Sequence, residues 1–142
     1  MSTELMNTNT QAAQAVAGLI FNTIATNTVE DAVKIANAIN SPDSLAEVPE
    51  GTELHVCDII ASQGTRKGRN NMPDSPCINT VFILEDGTSV FTQSDGIARS
   101  VATFAALFPD CGRSQGLPYL RMIIEEKGLR NGNTLKVARL LV

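Results

Sequence analysis

The sequence predicts a mainly β protein: a five-stranded barrel with a helix between strands 3 and 4, preceded by a helical N-terminal segment. Three observations predict it. Residues Asn79 to Phe108 read as strand, tight turn, strand and helix without interruption. Apolar runs over Thr52–Ala61, Tyr119–Glu125 and Thr134–Val142 supply three further strands. Asp86-Gly87 and Asn131-Gly132 mark turns that join neighbouring strands as hairpins.

Taken in order, the residues up to about Asn9 are polar, and Gln11 to Ala25 reads as an alanine-rich helix with Val16, Leu19, Ile20 and Phe21 on one side. Thr28 is placed to cap a second helix over Val29–Asn40, with Glu30 and Asp31 in its first turn, where the helix dipole favours negative charge. Ser41-Pro42-Asp43 breaks the chain. In Thr52–Ala61 the alternation is imperfect, and the apolar pairs Val56-Cys57 and Ile59-Ile60 imply burial on both sides or a bulge. Ser62 to Cys77 is rich in glycine, asparagine and proline and holds Arg66, Lys67 and Arg69, so it reads as a long loop, functional or disordered.

If Asp86 and Gly87 form a two-residue turn, Phe82 falls opposite Phe91 on one face, and Val81, Ile83 and Val90 share the other. A register one residue away turns both rings inward. Ser94 or Asp95 caps the helix carrying Ile97, Val101, Phe104, Ala105 and Phe108, and Pro109 ends it. Leu120, Met122 and Ile124 then alternate with Tyr119, Arg121, Ile123 and Glu125. The last strand is expected to bury Leu135 and Val137 and to turn Thr134 and Lys136 outward.

Composition bounds the function. At 142 residues and 43% hydrophobic content the chain suffices for one core. No apolar run approaches the roughly 20 residues of a membrane span, and no signal peptide is evident, so a cytoplasmic protein without a membrane partner is expected. Cys57, Cys77 and Cys111 fit reduced thiols, and neither a metal nor a cofactor is expected. The net charge is −4, unevenly spread. Through Asp58 eight acidic residues face one basic residue, whereas from Ile59 onward ten basic residues face seven acidic ones. The C-terminal body can therefore offer phosphates a local positive surface.

Five strands with a helix between the third and fourth follow the order of the OB-fold, whose strand 2 and 3 face and first and last hairpin loops bind oligonucleotides or oligosaccharides. Residues 51–142 would form this domain and residues 1–50 the helical segment. In that frame Arg66, Lys67, Arg69 and Asn70 lie in one binding loop and Lys127 and Arg130 in the other, with Phe82 and Phe91 as an aromatic platform. Tyr119 and Arg121 would extend the site along the outward side of strand 4.

From about Lys34 onward the chain resembles the small OB-fold single-stranded-DNA-binding proteins of bacteriophages. The resemblance lies in Asn37-Ala38, Ser44-Leu45, the Gly51 to Ile60 strand, the Ser89 to Gln93 strand, Ala106-Leu107-Phe108 and the Asn131 to Leu140 strand. It implies coating of single-stranded DNA during phage replication without enzymatic activity. Replication or recombination proteins would be further partners, and the protein a monomer or dimer. Two other classes compete. His55 and Cys57 share a face of the first strand but lack the clustered partners an enzyme needs, and burial of both is expected. An OB-fold adaptor for a protein or oligosaccharide would use the same loops without their cations.

Overall fold

The computed structural model describes residues 18–24 and 28–142. Seven strands form one curled sheet: β1 (Leu19–Asn22), β2 (Asp43–Ser44), β3 (Leu54–Arg66), β4 (Ser75–Leu84), β5 (Ser89–Thr92), β6 (Leu120–Gly128) and β7 (Thr134–Leu141). Helix α1 (Val29–Asn40) precedes β2, and α2 (Asp95–Leu107) joins β5 to β6. The order β2-β5-β4-β3-β6-β7, with β1 on the free length of β3, follows an OB-like path. Among the described residues the strand count is seven rather than five, and the N-terminal elements contribute two of the strands.

Both helices start where their caps dictate. The Thr28 hydroxyl accepts the Asp31 N–H at 3.1 Å, and the Ser94 hydroxyl accepts the Ile97 N–H at 3.3 Å. The helix expected over Gln11–Ala25 does not persist to its end, because Leu19–Asn22 is strand; residues before Gly18 and Ala25 itself lie outside the described residues. The reason is tertiary. β6 pairs with β3 only from Leu54 to Val56, and β1 takes the vacant edge at Ile60–Ser62.

β3 is buried on both faces, so its apolar residues run consecutively from Ile59 to Ala61. On the inner face Val56, Ile59, Phe82, Val90 and Met122 pack with Ile97, Val101 and Phe104 of α2. On the outer face Ile60, Val81 and Ile83 pack with Ile24 and with Ile35 and Ala38 of α1. The ladder slips between Val56 and Asp58, so a bulge accompanies the two-sided burial. Beside it the buried Asp58 carboxylate accepts from Thr23 Oγ1 at 2.8 Å and Arg113 Nη1 at 2.9 Å. Arg113 also donates to the Thr23 carbonyl at 2.6 Å, which locks β1 to the loop after α2.

Three registers correct the sequence reading. The polar stretch Ser62–Cys77 is mostly strand, since β3 and β4 pair as far as Arg66 opposite Ser75 and only Lys67–Asp74 connects them. Polar residues suffice there because the arm runs out beyond the core. Next, Leu84 N–H bonds to the Thr88 carbonyl and Gly87 N–H to the Leu84 carbonyl, with Gly87 at φ 87. This is a three-residue loop with a left-handed glycine, not a two-residue turn. The extra residue sets Phe82 opposite Val90 and Phe91 opposite Val81, so the two rings lie on opposite faces.

The same loop recurs at Arg130-Asn131-Gly132, where Leu129 N–H bonds to the Asn133 carbonyl and Gly132 adopts φ 84. It sets Met122 opposite Leu140, Ile124 opposite Ala138 and Glu126 opposite Lys136. Ala138 and Leu140 therefore face the core, Leu135 and Val137 are only half-buried, and Lys136 lies on the concave side. No helix among the described residues is long and apolar enough to cross a membrane.

Candidate nucleic-acid interface

A groove of about 650 Å³ opens between the β3–β4 and β6–β7 hairpins. Its lining comes from the Ser44 to Glu50 segment, from Phe91, Thr92 and Gln93 at the end of β5, from Ile124, Glu126 and Lys136, and from Arg69 at the β3–β4 tip. The sheet positions these groups by register: β2 pairs with β5 through Asp43–Val90 and Ser44–Phe91, and the Glu50 carboxylate accepts the Glu126 N–H at 3.2 Å. Two cations and two carboxylates line the groove, which is thus close to charge balance. The excess of cations stands at the hairpin tips, where Lys67 and Arg69 are exposed on one and Lys127 and Arg130 on the other.

The β3–β4 tip is a built structure. Gly68 N–H bonds to Asp74 Oδ1 at 2.8 Å and Met72 N–H to the Arg69 carbonyl at 3.0 Å. Asn70 and Asn71 are left-handed at φ 55 and 65, a conformation asparagine tolerates better than other side chains. A Cβ at Gly68 would collide with the Met72 carbonyl oxygen, so only glycine fits the turn. Below the tip, Arg66 Nη2 donates to the Gln93 carbonyl and lies 3.5 Å from Asp95. Gln93 in turn donates to Asn79 Oδ1 at 2.9 Å, and that amide lies where a side chain at Gly64 would stand. Arg66 is therefore committed to holding the hairpin against β5 and α2, while Lys67 and Arg69 extend from it.

The expected site residues separate into three places. Arg69 and Phe91 border the groove, and Lys67, Asn70, Lys127 and Arg130 stand on the hairpins beside it. Phe82 is wholly buried in the inner core and cannot meet a base. Exposing its ring would forfeit roughly 1.5 to 3 kcal/mol of burial, about what stacking a base returns. Tyr119 and Arg121 lie at the opposite end of β6 from its turn. There Tyr119 stacks on His55 with ring centroids 4.1 Å apart and planes at 14°.

At the same place Glu53 binds both neighbours, at 2.7 Å to Arg121 Nη2 and 2.6 Å to His55 Nε2. The Arg121 hydrogen bond, with that of His55 behind it, holds the Glu53 carboxyl down to about 2. His55 and Cys57 are half-exposed rather than buried. They do not pair, since the Cys57 thiol points to the Pro118 carbonyl at 3.8 Å and desolvation pushes its pKa up. Among the described residues no group of three His, Cys, Asp or Glu side chains could hold a metal ion.

Sequence reasoning missed Gln93 and Lys136, both of which line the groove. Nothing in the local pattern marks Gln93. Lys136 was within reach: a three-residue loop at Arg130-Asn131-Gly132 sets it opposite Glu126. A family model described as Phage Single-stranded DNA-binding protein matches residues 14–136 of the 142-residue chain. No curated protein and no solved structure matches it.

Proposed function

Because the chain belongs to the phage single-stranded DNA-binding protein family, we propose that it coats single-stranded DNA with little sequence preference during phage DNA replication or recombination. The observation that carries this reading is a charge-balanced groove bracketed by cation-bearing hairpin tips. Phosphates pair with Lys67, Arg69, Lys127 and Arg130, while neutral bases enter the groove against Phe91 and Ile124. A groove of balanced charge suits bases better than phosphates, and cations at the tips suit a backbone that crosses from one hairpin to the other. Duplex DNA binds poorly, because its base faces are already stacked.

In this reading the cationic and aromatic contacts belong to residues 51–142, while the described elements before residue 51 serve the fold and lend Ser44 to Glu50 to one wall of the groove. Of these elements, β1 and β2 extend the sheet and α1 covers the outer face. The family is one of binding proteins rather than an enzyme class. Titration of the full chain with labelled oligo-dT and with duplex DNA at several salt concentrations tests the proposal. Preference for the single strand is expected, with a log-log salt slope of roughly −2 to −4 if about three to five phosphates are neutralised. Equal affinity for duplex, or a flat salt response, sinks it; the latter favours a protein or oligosaccharide adaptor.

A further inference from the structure

All six aromatic rings of the chain lie within the described residues, and it has no tryptophan. Phe82 and Phe104 are buried, Phe21 and Phe108 pack against the inner core, and Tyr119 stacks on His55. Phe91 borders the groove but is half-buried against the outer cluster. At the groove, a protein that holds bases by aromatic stacking alone would have one partly covered ring to do it with. The hairpins that bracket the groove instead expose two large apolar side chains, Met72, at 68%, and Leu129, at 44%.

Each stands on a hairpin tip among cations, Met72 close to Lys67 and Arg69, Leu129 between Lys127 and Arg130. At the first tip two consecutive non-glycine residues are left-handed, and Gly68 has no room for a side chain. Backbone strain and an exposed thioether chain both cost free energy in the free protein; the Gly68–Asp74 and Met72–Arg69 bonds hold the strained turn in place, while the thioether stays exposed. Strain of this kind persists where the surroundings hold it in place and clusters at functional positions. A ligand that lays an apolar, polarisable face on Met72 while its phosphates meet the adjacent cations offsets both costs. A nucleobase in a single strand has that chemistry, and sulfur packs favourably against aromatic rings.

We infer that Met72 and Leu129 make apolar contacts to nucleobases in addition to those in the groove, so that each hairpin tip carries a base contact beside its phosphate contacts. This rests on the single-stranded DNA reading above. Oligo-dT titrations of the full chain and of Met72→Ala, Leu129→Ala and the double variant, at several salt concentrations, test it. Each single change is expected to weaken binding about three- to tenfold with the salt slope unchanged, because an apolar contact releases no counterions. Unchanged affinity in the double variant, while the native chain binds, overturns this inference alone. Failure of the native chain to bind overturns the functional reading itself, and this inference with it. A second measurement needs no variant. Under limited peroxide, Met72 is expected to form sulfoxide in the free protein and to be protected by saturating oligo-dT, with wholly buried Met122 as the unreactive control. Equal oxidation of Met72 with and without oligo-dT overturns the inference.

Discussion

The two hairpins that flank the groove are held in opposite ways. The β3–β4 hairpin is tied near its tip, through Arg66 to Gln93 and Asp95 and through the Gly68–Asp74 bond across its loop. The β6–β7 hairpin is tied at its base, where Arg121 joins Glu53 and donates to the Val142 carbonyl at 2.7 Å. Midway along, α2 supports it, with Ser100 Oγ accepting the Ala138 N–H at 3.1 Å and Gly96 lying against Leu135 and the Lys136 carbonyl; beyond Lys127 and Leu135 the described residues show only its own ladder and turn. Pre-organisation reduces what binding must spend on ordering side chains. The first tip is thus expected to provide fixed contacts, and the second to adapt to whatever strand lies in the groove.

The largest test of that contrast lies in two glycines. Gly68→Ala sets a Cβ against the Met72 carbonyl oxygen, so the tip must open and Arg69 and Met72 lose their positions. Oligo-dT affinity is expected to fall about tenfold or more, in line with strain of a few kcal/mol. Gly132→Ala meets open space and only a left-handed φ of 84, costing about 1 kcal/mol of stability with little change in binding. Equal effects on binding would erase the distinction between the tips.

A smaller effect separates the cations. Replacing Lys67 and Arg69 together by Ala, or Lys127 and Arg130 together, should each flatten the log-log salt slope by about 1.4, the coefficient for two phosphates on a single strand. The slopes then match, while the first pair costs more affinity because its tip is pre-ordered. A greater loss from the second pair reverses the assignment of fixed and adaptable tips.

The smallest effect concerns the base of the second hairpin. The folded state holds the Glu53 carboxyl at about 2, against its ordinary 4.5. A depressed carboxylate adds stability that is full above the unfolded value and is lost as pH falls through the folded one. Glu53→Gln should therefore be less stable than the native chain by a constant margin above about pH 5, and the margin should shrink towards pH 2. Urea midpoints at a series of pH values measure this, and a margin that does not change with pH would show that the Arg121 tie adds nothing.

The sequence carried both described helices to their caps, because a cap needs only a hydroxyl three residues from the N–H it accepts. The alternation of Leu120, Met122 and Ile124 likewise identified the core face of β6. Of the residues expected to form the site, Arg69 borders the groove and Lys67, Asn70, Lys127 and Arg130 stand on the hairpins beside it. The faces of Phe82 and Phe91 were not legible, since they depend on one residue of loop length between β4 and β5. Asp86-Gly87 is compatible with a two-residue or a three-residue loop, and the choice inverts the relation between two strands.

By itself, then, the sequence determined what short-range chemistry decides: where the described helices start, the apolar stretches of β3 to β7, where the chain turns and where its cations gather. Only the tertiary structure decided which strand edge Leu19–Asn22 would fill, how far β3 and β4 would pair, and that Phe82 and Phe91 would part. These depend on partners distant in sequence, each of which satisfies a backbone or covers a face that the local pattern leaves open.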